Sequence, residues 1–223
     1  MIKVAIAEDH RIFQRGVELI LEDFEDVNLA LIANNGKDLI EKLGNTPVDI
    51  ILMDLEMPEM DGIEATKYVH EHFPEIKIIL LTMHHSDQYV SYMVELGVSA
   101  YLLKDEADPE RTLYEAITTV VEKDFYFTPE VQQALLRSTR KTKPPIAINH
   151  QIAQSVTRRE REVIELICKE LSTQQMAEEL YISPKTVETH RKNIREKLGV
   201  KGTAGIVIFA IQHGWFNPDK RLF

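Results

Sequence analysis

Five side chains that can bind a metal ion or an anion stand at the ends of short apolar runs. Glu8, Asp9 and Asp54 are carboxylates, Thr82 carries a hydroxyl group and Lys104 carries an ammonium group. Each follows or closes an aliphatic run of the kind that forms a strand buried on both faces of a parallel sheet. Because open α/β sheets place ligand chemistry at the carboxyl ends of their strands, we expect these groups to meet at one edge.

The combination of these groups favours phosphoryl chemistry. Three carboxylates that lie close together are unfavourable unless a cation neutralises them. Oxygen ligands at a partly open site are typical of Mg²⁺, which often shares its shell with phosphate oxygens. A carboxylate, a divalent ion, a hydroxyl and a lysine suit attack of Asp54 on a phosphoryl group, with the metal and Lys104 neutralising charge. The residues therefore predict a Mg²⁺-dependent phosphoacceptor site.

Alternating strand and helix patterns position these groups. The strand candidates are 2–7, 27–33, 48–53, 76–82 and 99–104, and the helix candidates are 12–23, 36–44, 61–73, 86–96 and 109–122. Five consecutive strand-helix units predict a parallel sheet covered by helices. With right-handed crossovers, the expected fold is an α/β, five-stranded, doubly wound parallel sheet.

The remainder of the chain has helical patterns only. A short helix candidate at 128–138 runs into an aperiodic segment at 137–155, and the helix candidates that follow are 158–170, 173–180, 184–198 and 203–213. A short helix, a tight turn and a longer helix are typical of a helix-turn-helix. We therefore predict an α/β domain at 1–125, a connecting helix and linker at 126–155 and a small all-α domain at 156–223.

Charge is distributed unevenly between these parts. Residues 1–138 carry 11 basic and 27 acidic residues, a net charge of −16, whereas residues 150–223 carry 12 basic and 9 acidic residues, a net charge of +3. The whole-chain charge of −10 argues against nucleic acid as a ligand, but the positive second part removes that objection there. The distribution favours two domains with different partners.

Several sequence features favour the cytoplasm. No apolar run approaches the roughly 20 residues that span a bilayer, so we expect no membrane partner. The first ten residues lack the features of a secretory signal. Cys168 is the only cysteine and cannot form an internal disulfide, which suits a reducing compartment.

The helix candidate at 184–198 has one face that fits a DNA major groove. Ser183 is a cap candidate, and Val187, Ile194 and Leu198 form an apolar stripe at helical spacing. The opposite face carries Lys185, Glu188, Thr189 and Lys192, which can contact base edges, and its flanks carry Thr186, Asn193, Arg195 and Lys197, which can contact phosphates. An ordinary amphipathic helix with a solvated face is the alternative, and the preceding short helix and the basic charge count against it.

Residues 1–125 resemble the receiver domain of bacterial two-component response regulators. The matching stretches are AEDH after the first strand, MDLEMPEMDG after the third, LLT on the fourth and AYLLK on the fifth. The resemblance implies a flavodoxin-like fold in which Pro58 and Gly62 form the turn after the phosphoacceptor.

The same resemblance implies roles for individual residues. Asp54 is the expected phosphoacceptor. The expected Mg²⁺ ligands are Glu8, Asp9, Asp54 and the backbone carbonyl of Glu56. Thr82 and Lys104 are expected to contact the phosphoryl group, and Tyr101 is the aromatic residue expected to reorient on activation.

Phosphatases of the haloacid-dehalogenase type are an enzymatic alternative, because they also use an aspartate at a strand end with Mg²⁺. Their motif requires a second aspartate two residues later and a threonine or valine four residues later. Those positions hold Glu56 and Pro58, and the chain has no Walker-type glycine loop. We therefore do not predict an enzyme.

Residues 156–213 resemble the LuxR-type four-helix DNA-binding domain. The matching stretches are VTRREREVIELI and MAEELYISPKTVETHRKNIREKLGV, followed by the closing helix with Ala210. One departure is Glu170, where the family usually has a glycine at the end of the first helix. A left-handed backbone is costly for glutamate, so we expect the turn at Leu171–Ser172 to differ locally.

Together the two resemblances identify the chain as a member of the NarL/LuxR-type response regulators. They imply a transcription factor that a partner sensor histidine kinase phosphorylates on Asp54 with Mg²⁺. Phosphorylation is then expected to control homodimerisation and binding to promoter DNA. The alternative is a DNA-binding regulator that works without phosphorylation.

Overall fold

A computed structural model describes residues 1–84, 86–105, 107–141 and 155–216. Five parallel strands form one sheet with the order β2-β1-β3-β4-β5. The strands are β1 Ile2–Ala7, β2 Val27–Ala33, β3 Ile50–Asp54, β4 Lys77–Thr82 and β5 Ala100–Leu103. Because β1 and β3 are neighbours, the residues at their carboxyl ends lie side by side. The predicted fold class is confirmed.

Four helices connect the strands, and a fifth helix follows β5. They are α1 Arg11–Glu22, α2 Gly36–Leu43, α3 Gly62–His72, α4 Asp87–Leu96 and α5 Pro109–Lys123. Val17 and Leu21 of α1 share one buried apolar cluster with Leu113, Ile117 and Val120 of α5 and with side chains of the strands. α1 and α5 therefore cover the same face of the sheet.

The central strand β3 holds Asp54 in place. Every residue of β3 is buried, including Asp54 itself. Each fully buried aliphatic side chain contributes about 1.5–3 kcal/mol through the hydrophobic effect. The apolar run of β3 is thus the reason that the carboxylate at its end has a well-defined position.

The C-terminal part contains helices only, within the described residues. They are α6 Pro129–Lys141, α7 Arg158–Cys168, α8 Thr173–Leu180, α9 Pro184–Leu198 and α10 Gly202–Gln212. α8 and α9 have the predicted bounds and form the helix-turn-helix. α6 continues beyond its predicted end at 138, so the start of the segment predicted to be aperiodic is helical. The Pro144–Pro145 pair of the predicted linker lies outside the described residues.

The helix-turn-helix part begins with well-capped helices. Thr157 and Glu160 form a capping box at the start of α7, and Ser172 and Gln175 form another at the start of α8. In each box the two side chains accept hydrogen bonds from two backbone N–H groups at the start of the helix. The pattern visible in the sequence, a hydroxyl residue followed three positions later by Glu or Gln, is therefore the physical reason that these helices begin where they do.

The turn between α7 and α8 contradicts one expectation. Glu170 has a φ angle of 60°, the left-handed conformation that a glycine would adopt there. For a residue with a Cβ atom this conformation costs roughly 1–2 kcal/mol. Backbone hydrogen bonds from Glu170 N to Ile167 O (2.9 Å) and from Leu171 N to Leu166 O (3.2 Å) stabilise the turn. Glu170 therefore adopts the left-handed backbone that we expected a glutamate to avoid.

The chain forms two compact units. One consists of Met1–His85, Val98–Val120 and Tyr126–Thr128, and the other consists of Ser86–Gly97, Val121–Phe125 and Pro129–Phe223. Within the second unit, α4 packs against α6, and the guanidinium group of Arg137 donates two hydrogen bonds of 2.9 Å to Asp87. The domain boundaries at 125 and 155 remain sequence predictions.

Across the described ranges, no helix is long and apolar enough to cross a membrane. Cys168, at the end of α7, is buried and is not part of a disulfide.

Candidate acidic site and candidate nucleic-acid interface

The end of β3 places the Asp54 carboxylate at the edge of the sheet. Its Oδ1 atom accepts a hydrogen bond of 2.7 Å from the backbone N–H of Leu55, and the residue is 5% exposed. The chain then turns and passes close to the strand end, where Gly62 N donates to Leu55 O at 2.9 Å. A Cβ atom on Gly62 would lie only 2.9 Å from Leu55 Cα and closer still to the carbonyl oxygen of Asp54. Glycine at position 62 is therefore required by this close approach.

The residues after β1 complete an acidic cluster with Asp54. One ligand atom from each of Glu8, Asp9, His10 and Asp54 can be chosen so that all of them lie within 4.8 Å of one another. Glu8 is 2% exposed, and its Oε1 atom accepts a hydrogen bond of 3.0 Å from His10 N. His10 also places Nδ1 3.1 Å from Asp9 Oδ1. We did not single out His10 from the sequence, although its position directly after two clustered acids could have indicated it.

The electrostatics of the cluster favour a bound cation. Burial raises the pKa of Glu8 above its ordinary value; the Lys104 ammonium opposes this shift, and the charge of Asp54 reinforces it. The shift in the pKa of Glu8 follows mainly from its removal from water, and a cation bound at the cluster would offset this cost. Carboxylate oxygens at a partly exposed edge are the ligands that Mg²⁺ prefers, so the residues present fit that ion.

Lys104 supplies the positive charge of the site. It follows β5 directly, and its Nζ atom lies 2.9 Å from Asp54 Oδ2 and 2.7 Å from Glu8 Oε2. The Lys104 side chain is only 9% exposed. The sequence prediction that strands β1, β3 and β5 would deliver these groups to one edge agrees with this arrangement.

Thr82 ends β4, the strand between β3 and β5. It is 1% exposed, and its hydroxyl oxygen accepts a hydrogen bond of 3.2 Å from the backbone N–H of His84. Asp54 is paired with Leu81 in the sheet register, directly before Thr82. The hydroxyl group thus stands on the strand next to Asp54 and can still donate a hydrogen bond of its own.

Glu56, His84 and Tyr101 form a chain of contacts beside the site. His84 Nε2 lies 2.9 Å from Glu56 Oε1, so the Glu56 side chain is directed to His84. The hydroxyl of Tyr101 donates a hydrogen bond of 2.7 Å to the backbone oxygen of His84, and Tyr101 is fully buried. The loop after β4 is therefore tied to both residues. His85, the second histidine of this loop, lies outside the described residues.

Helix α9 has the polarity that the sequence predicts. Ser183 Oγ accepts a hydrogen bond of 3.1 Å from Thr186 N, and the helix ends at Gly199, whose φ angle is 66°. Val187, Ile194 and Leu198 are buried. The predicted DNA-facing residues Lys185, Thr186, Glu188, Thr189, Lys192 and Asn193 are exposed, and Arg195 is partly exposed.

Glu188 and Thr189 are among the polar residues of α9 that have hydrogen-bond partners inside the helical segment. Glu188 Oε1 accepts a hydrogen bond of 2.8 Å from the Thr173 hydroxyl, and Thr189 Oγ1 donates at 3.0 Å to Lys185 O. These contacts orient the Glu188 and Thr189 side chains. Lys192 and Asn193 are exposed on the same helix.

Arg191 is a structural residue that we did not predict. It is 1% exposed, and its guanidinium donates to Thr173 Oγ1 at 2.7 Å and to Thr203 Oγ1 at 3.0 Å. Glu188 lies 3.2 Å away, and the carboxylate of Asp124, in the same compact unit, also pairs with it. The helical period could have indicated this burial, because position 191 falls on the apolar stripe of α9.

Comparisons with known proteins agree for both parts of the chain. Residues 4–118 match the family "Response regulator receiver domain", and residues 154–210 match the family "Bacterial regulatory proteins, luxR family". Transcriptional regulatory protein DegU of Brevibacillus brevis is 31% identical, over 96% of this chain and 94% of its own length. Response regulator protein VraR of Staphylococcus epidermidis RP62A is 34% identical, over 95% and 97%. A solved structure of two RcsB dimers bound to two parallel DNAs is 27% identical, with a TM-score of 0.58, and covers 95% of this chain and 98% of that chain.

Proposed function

Because the chain belongs to the two-component response regulators with a LuxR-type helix-turn-helix, we propose that a phosphoryl group on Asp54 controls its DNA binding. The chain is a response regulator transcription factor with a receiver and a DNA-binding part. The observation that carries the proposal is the position of Asp54. Its carboxylate lies in an acidic cluster at the sheet edge and 2.9 Å from the ammonium group of Lys104.

A sensor histidine kinase is the proposed phosphoryl donor. An oxygen of the ionised Asp54 carboxylate attacks phosphorus, a new O–P bond forms, and the bond between phosphorus and the donor breaks with its electrons leaving on the donor. Asp54 needs no base for this step because its carboxylate is already the nucleophile. β3 limits the motion of the carboxylate, which favours an in-line approach.

The ligands proposed for Mg²⁺ are the side chains of Glu8, Asp9 and Asp54 and the backbone carbonyl of Glu56. A bound Mg²⁺ would neutralise charge on the phosphoryl oxygens. The ammonium group of Lys104 also neutralises negative charge at the site. It pairs with two carboxylates before phosphorylation and can pair with a phosphoryl oxygen afterwards.

We propose that Thr82 and Tyr101 change position when Asp54 is phosphorylated. A phosphoryl oxygen that accepts a hydrogen bond from the Thr82 hydroxyl draws the end of β4 towards the site. Because Thr82 and Tyr101 both hydrogen-bond to the backbone of His84, movement of this loop reaches the aromatic side chain. We propose that the two arrangements of this loop are the inactive and active states of the receiver.

The phosphorylation proposal is tested by labelling with acetyl phosphate and Mg²⁺. We expect the wild-type chain to gain one phosphoryl group by intact-protein mass spectrometry, and Asp54→Asn to gain none. Asp23→Asn, which removes an aspartate at the end of α1, is the matched control and should label like the wild type. Retained labelling of Asp54→Asn would show that the phosphoacceptor assignment is wrong.

For DNA, we propose that the active chain is a homodimer that places two α9 helices on paired half-sites. The similar RcsB structure is of dimers bound to DNA. Lys185, Glu188, Thr189 and Lys192 are the proposed base-contacting residues, and Thr186, Asn193 and Arg195 are proposed to contact phosphates. Their exposure on α9 supports this assignment.

Lys192→Ala tests the base-reading role on a promoter fragment recovered by genome-wide occupancy. Specific affinity should fall by roughly 5- to 150-fold, the equivalent of about 1–3 kcal/mol for one base contact, and non-specific affinity should fall much less. Lys169→Ala, at an exposed lysine directly after α7 and outside the proposed interface, is the control. An equal loss of both affinities would assign Lys192 to a phosphate contact.

The same DNA fragment separates the two modes of regulation. If acetyl phosphate with Mg²⁺ changes neither the affinity nor the oligomeric state of the labelled wild type, a phosphorylation-independent regulator is the correct reading. The cytoplasmic location remains a prediction from the sequence.

A further inference from the structure

His10 occupies the N-cap position of helix α1, but its side chain does not cap the helix. This position usually holds serine, threonine, aspartate or asparagine, whose side-chain oxygen accepts a hydrogen bond from the first helical turn. The His10 side chain makes no such bond. Its Nδ1 atom instead lies 3.1 Å from Asp9 Oδ1 and 3.6 Å from Glu8 Oε1. The imidazole therefore belongs to the acidic cluster and not to the helix end.

The distance between His10 Nδ1 and Asp9 Oδ1 suits two ligands of one metal ion. In an octahedral shell with metal–ligand distances of about 2.1 Å, adjacent ligand atoms lie about 3.0 Å apart and opposite ligand atoms about 4.2 Å apart. One atom from each of Glu8, Asp9, His10 and Asp54 can be chosen so that all four lie within 4.8 Å of one another. An ion within the cluster can therefore reach the imidazole as well as the carboxylates after small side-chain movements.

The contact between His10 and Asp9 is of little use to folding. The His10 side chain is 75% exposed and the Asp9 side chain is 29% exposed, so water can hydrogen-bond to both. An exposed pair of this kind contributes little to stability. The same exposure leaves an open path by which an ion from solvent can reach the imidazole.

Lys104 and the imidazole use different oxygen atoms of Glu8. The ammonium group of Lys104 lies 2.7 Å from Glu8 Oε2, whereas His10 lies next to Glu8 Oε1. The lysine also contacts Oδ2 of Asp54. A cation bound on the His10 side of the cluster therefore does not need to displace Lys104.

An imidazole nitrogen changes which ions such a site prefers. Mg²⁺ is a hard cation that takes oxygen ligands. First-row transition ions accept carboxylate oxygens and imidazole nitrogens in the same shell, and their affinity for a given site of this kind rises from Mn²⁺ towards the later ions of the row. His10 is therefore a poor ligand for Mg²⁺ and a good one for a transition ion.

We propose that His10 is a metal ligand through Nδ1 and that it makes the acidic site selective for a divalent first-row transition ion such as Mn²⁺ over Mg²⁺. This inference rests on the proposed function, because the ion is the one that accompanies phosphorylation of Asp54. The choice of ion is thereby assigned to a single side chain directly before α1.

The first test detects the nitrogen ligand directly. Mn²⁺ is added to the full-length chain in less than equimolar amount, and the electron spin-echo envelope modulation of the bound ion is recorded. The wild type should show modulation from a coordinated nitrogen nucleus, and His10→Ala should lose it. His72→Ala, at an exposed histidine of α3 outside the cluster, should keep it. A wild-type chain that binds no Mn²⁺, or binds it without nitrogen modulation, would overturn the proposal, as would modulation that persists in His10→Ala.

The second test separates metal ligation from an indirect effect on Asp9. The affinity for Mn²⁺ is measured from the electron paramagnetic resonance signal of the free ion, and the affinity for Mg²⁺ from its displacement of Mn²⁺. His10→Ala keeps the backbone N–H that donates to Glu8 Oε1. It should weaken Mn²⁺ binding by roughly 10-fold or more and Mg²⁺ binding much less. Asp9→Asn, which alters an oxygen ligand, should weaken the binding of both ions by similar factors.

Equal losses of Mn²⁺ and Mg²⁺ affinity in His10→Ala would show that His10 only orients Asp9, and the selectivity proposal would then be wrong. The proposed function fails in a different way, because it is contradicted by a wild-type chain that acetyl phosphate labels with neither ion. A chain that is labelled on Asp54 but holds Mn²⁺ without a nitrogen ligand contradicts only the role of His10.

Discussion

Gly62→Ala tests whether the position of Asp54 depends on the turn that follows β3. The new Cβ atom would lie 2.9 Å from Leu55 Cα and closer to the carbonyl oxygen of Asp54. To restore contacts of about 3.4 Å or more, Leu55 Cα has to move by about 0.5 Å and the Asp54 carbonyl by roughly 1 Å. A misplacement of about 1 Å at a reacting group can reduce a rate by roughly 100-fold. We also expect a loss of about 1–3 kcal/mol in the free energy of unfolding from overpacking.

The assay is the rate of labelling by acetyl phosphate with Mg²⁺, followed by intact-protein mass spectrometry, with circular dichroism as the check on folding. Gly44→Ala is the matched control, because a Cβ atom there meets nothing within 4 Å. It should label and unfold like the wild type. A Gly62→Ala chain that labels at the wild-type rate would refute the inference that this close approach positions the carboxylate.

Two further predictions concern the helical segment, whose unfolding can be followed by the fluorescence of Trp215, the only tryptophan of the chain. Arg191→Lys keeps the positive charge, but a lysine cannot reach the hydroxyls of both Thr173 and Thr203. It should therefore lower the free energy of unfolding by about 1.5–3 kcal/mol. An unchanged urea midpoint would contradict this. The second prediction concerns the pKa of Glu160. Burial by itself would raise this pKa, but the hydrogen bond from Lys197 and those at the helix cap lower it below the ordinary value of 4.5. The stability that Glu160 contributes is therefore present above the unfolded-state pKa and is lost as the pH falls through the lower folded-state pKa. Glu160→Gln should flatten the pH dependence of urea unfolding below about pH 4.5, and a slope identical to that of the wild type would show that this carboxylate is not involved.

Many elements could be predicted closely because their patterns are local. β1, β2, α8 and α9 have the predicted bounds, since apolar runs and cap residues mark their ends. β3 is less regular. It was predicted at 48–53 but spans Ile50–Asp54. The start of a strand depends on where the neighbouring strands begin to hydrogen-bond, which the sequence of one strand does not contain.

The candidate acidic site was predictable to a similar extent. Glu8, Asp54 and Lys104 come together because the strand order brings the ends of β1, β3 and β5 to one edge. The contact of Lys104 with Phe13 and the pairing of Glu56 with His84 were not predictable. Such contacts depend on side-chain directions at residues far apart in the chain.

The sequence by itself determined the order of strands and helices, the capped start of α9 and the residue types at the sheet edge, because hydrophobic period, caps and strand ends are local properties. Only the tertiary structure decided that Glu170 accepts a left-handed backbone and that Arg191 is buried among hydroxyl partners. Each of these depends on atoms from several elements whose distances are set only when the chain is packed.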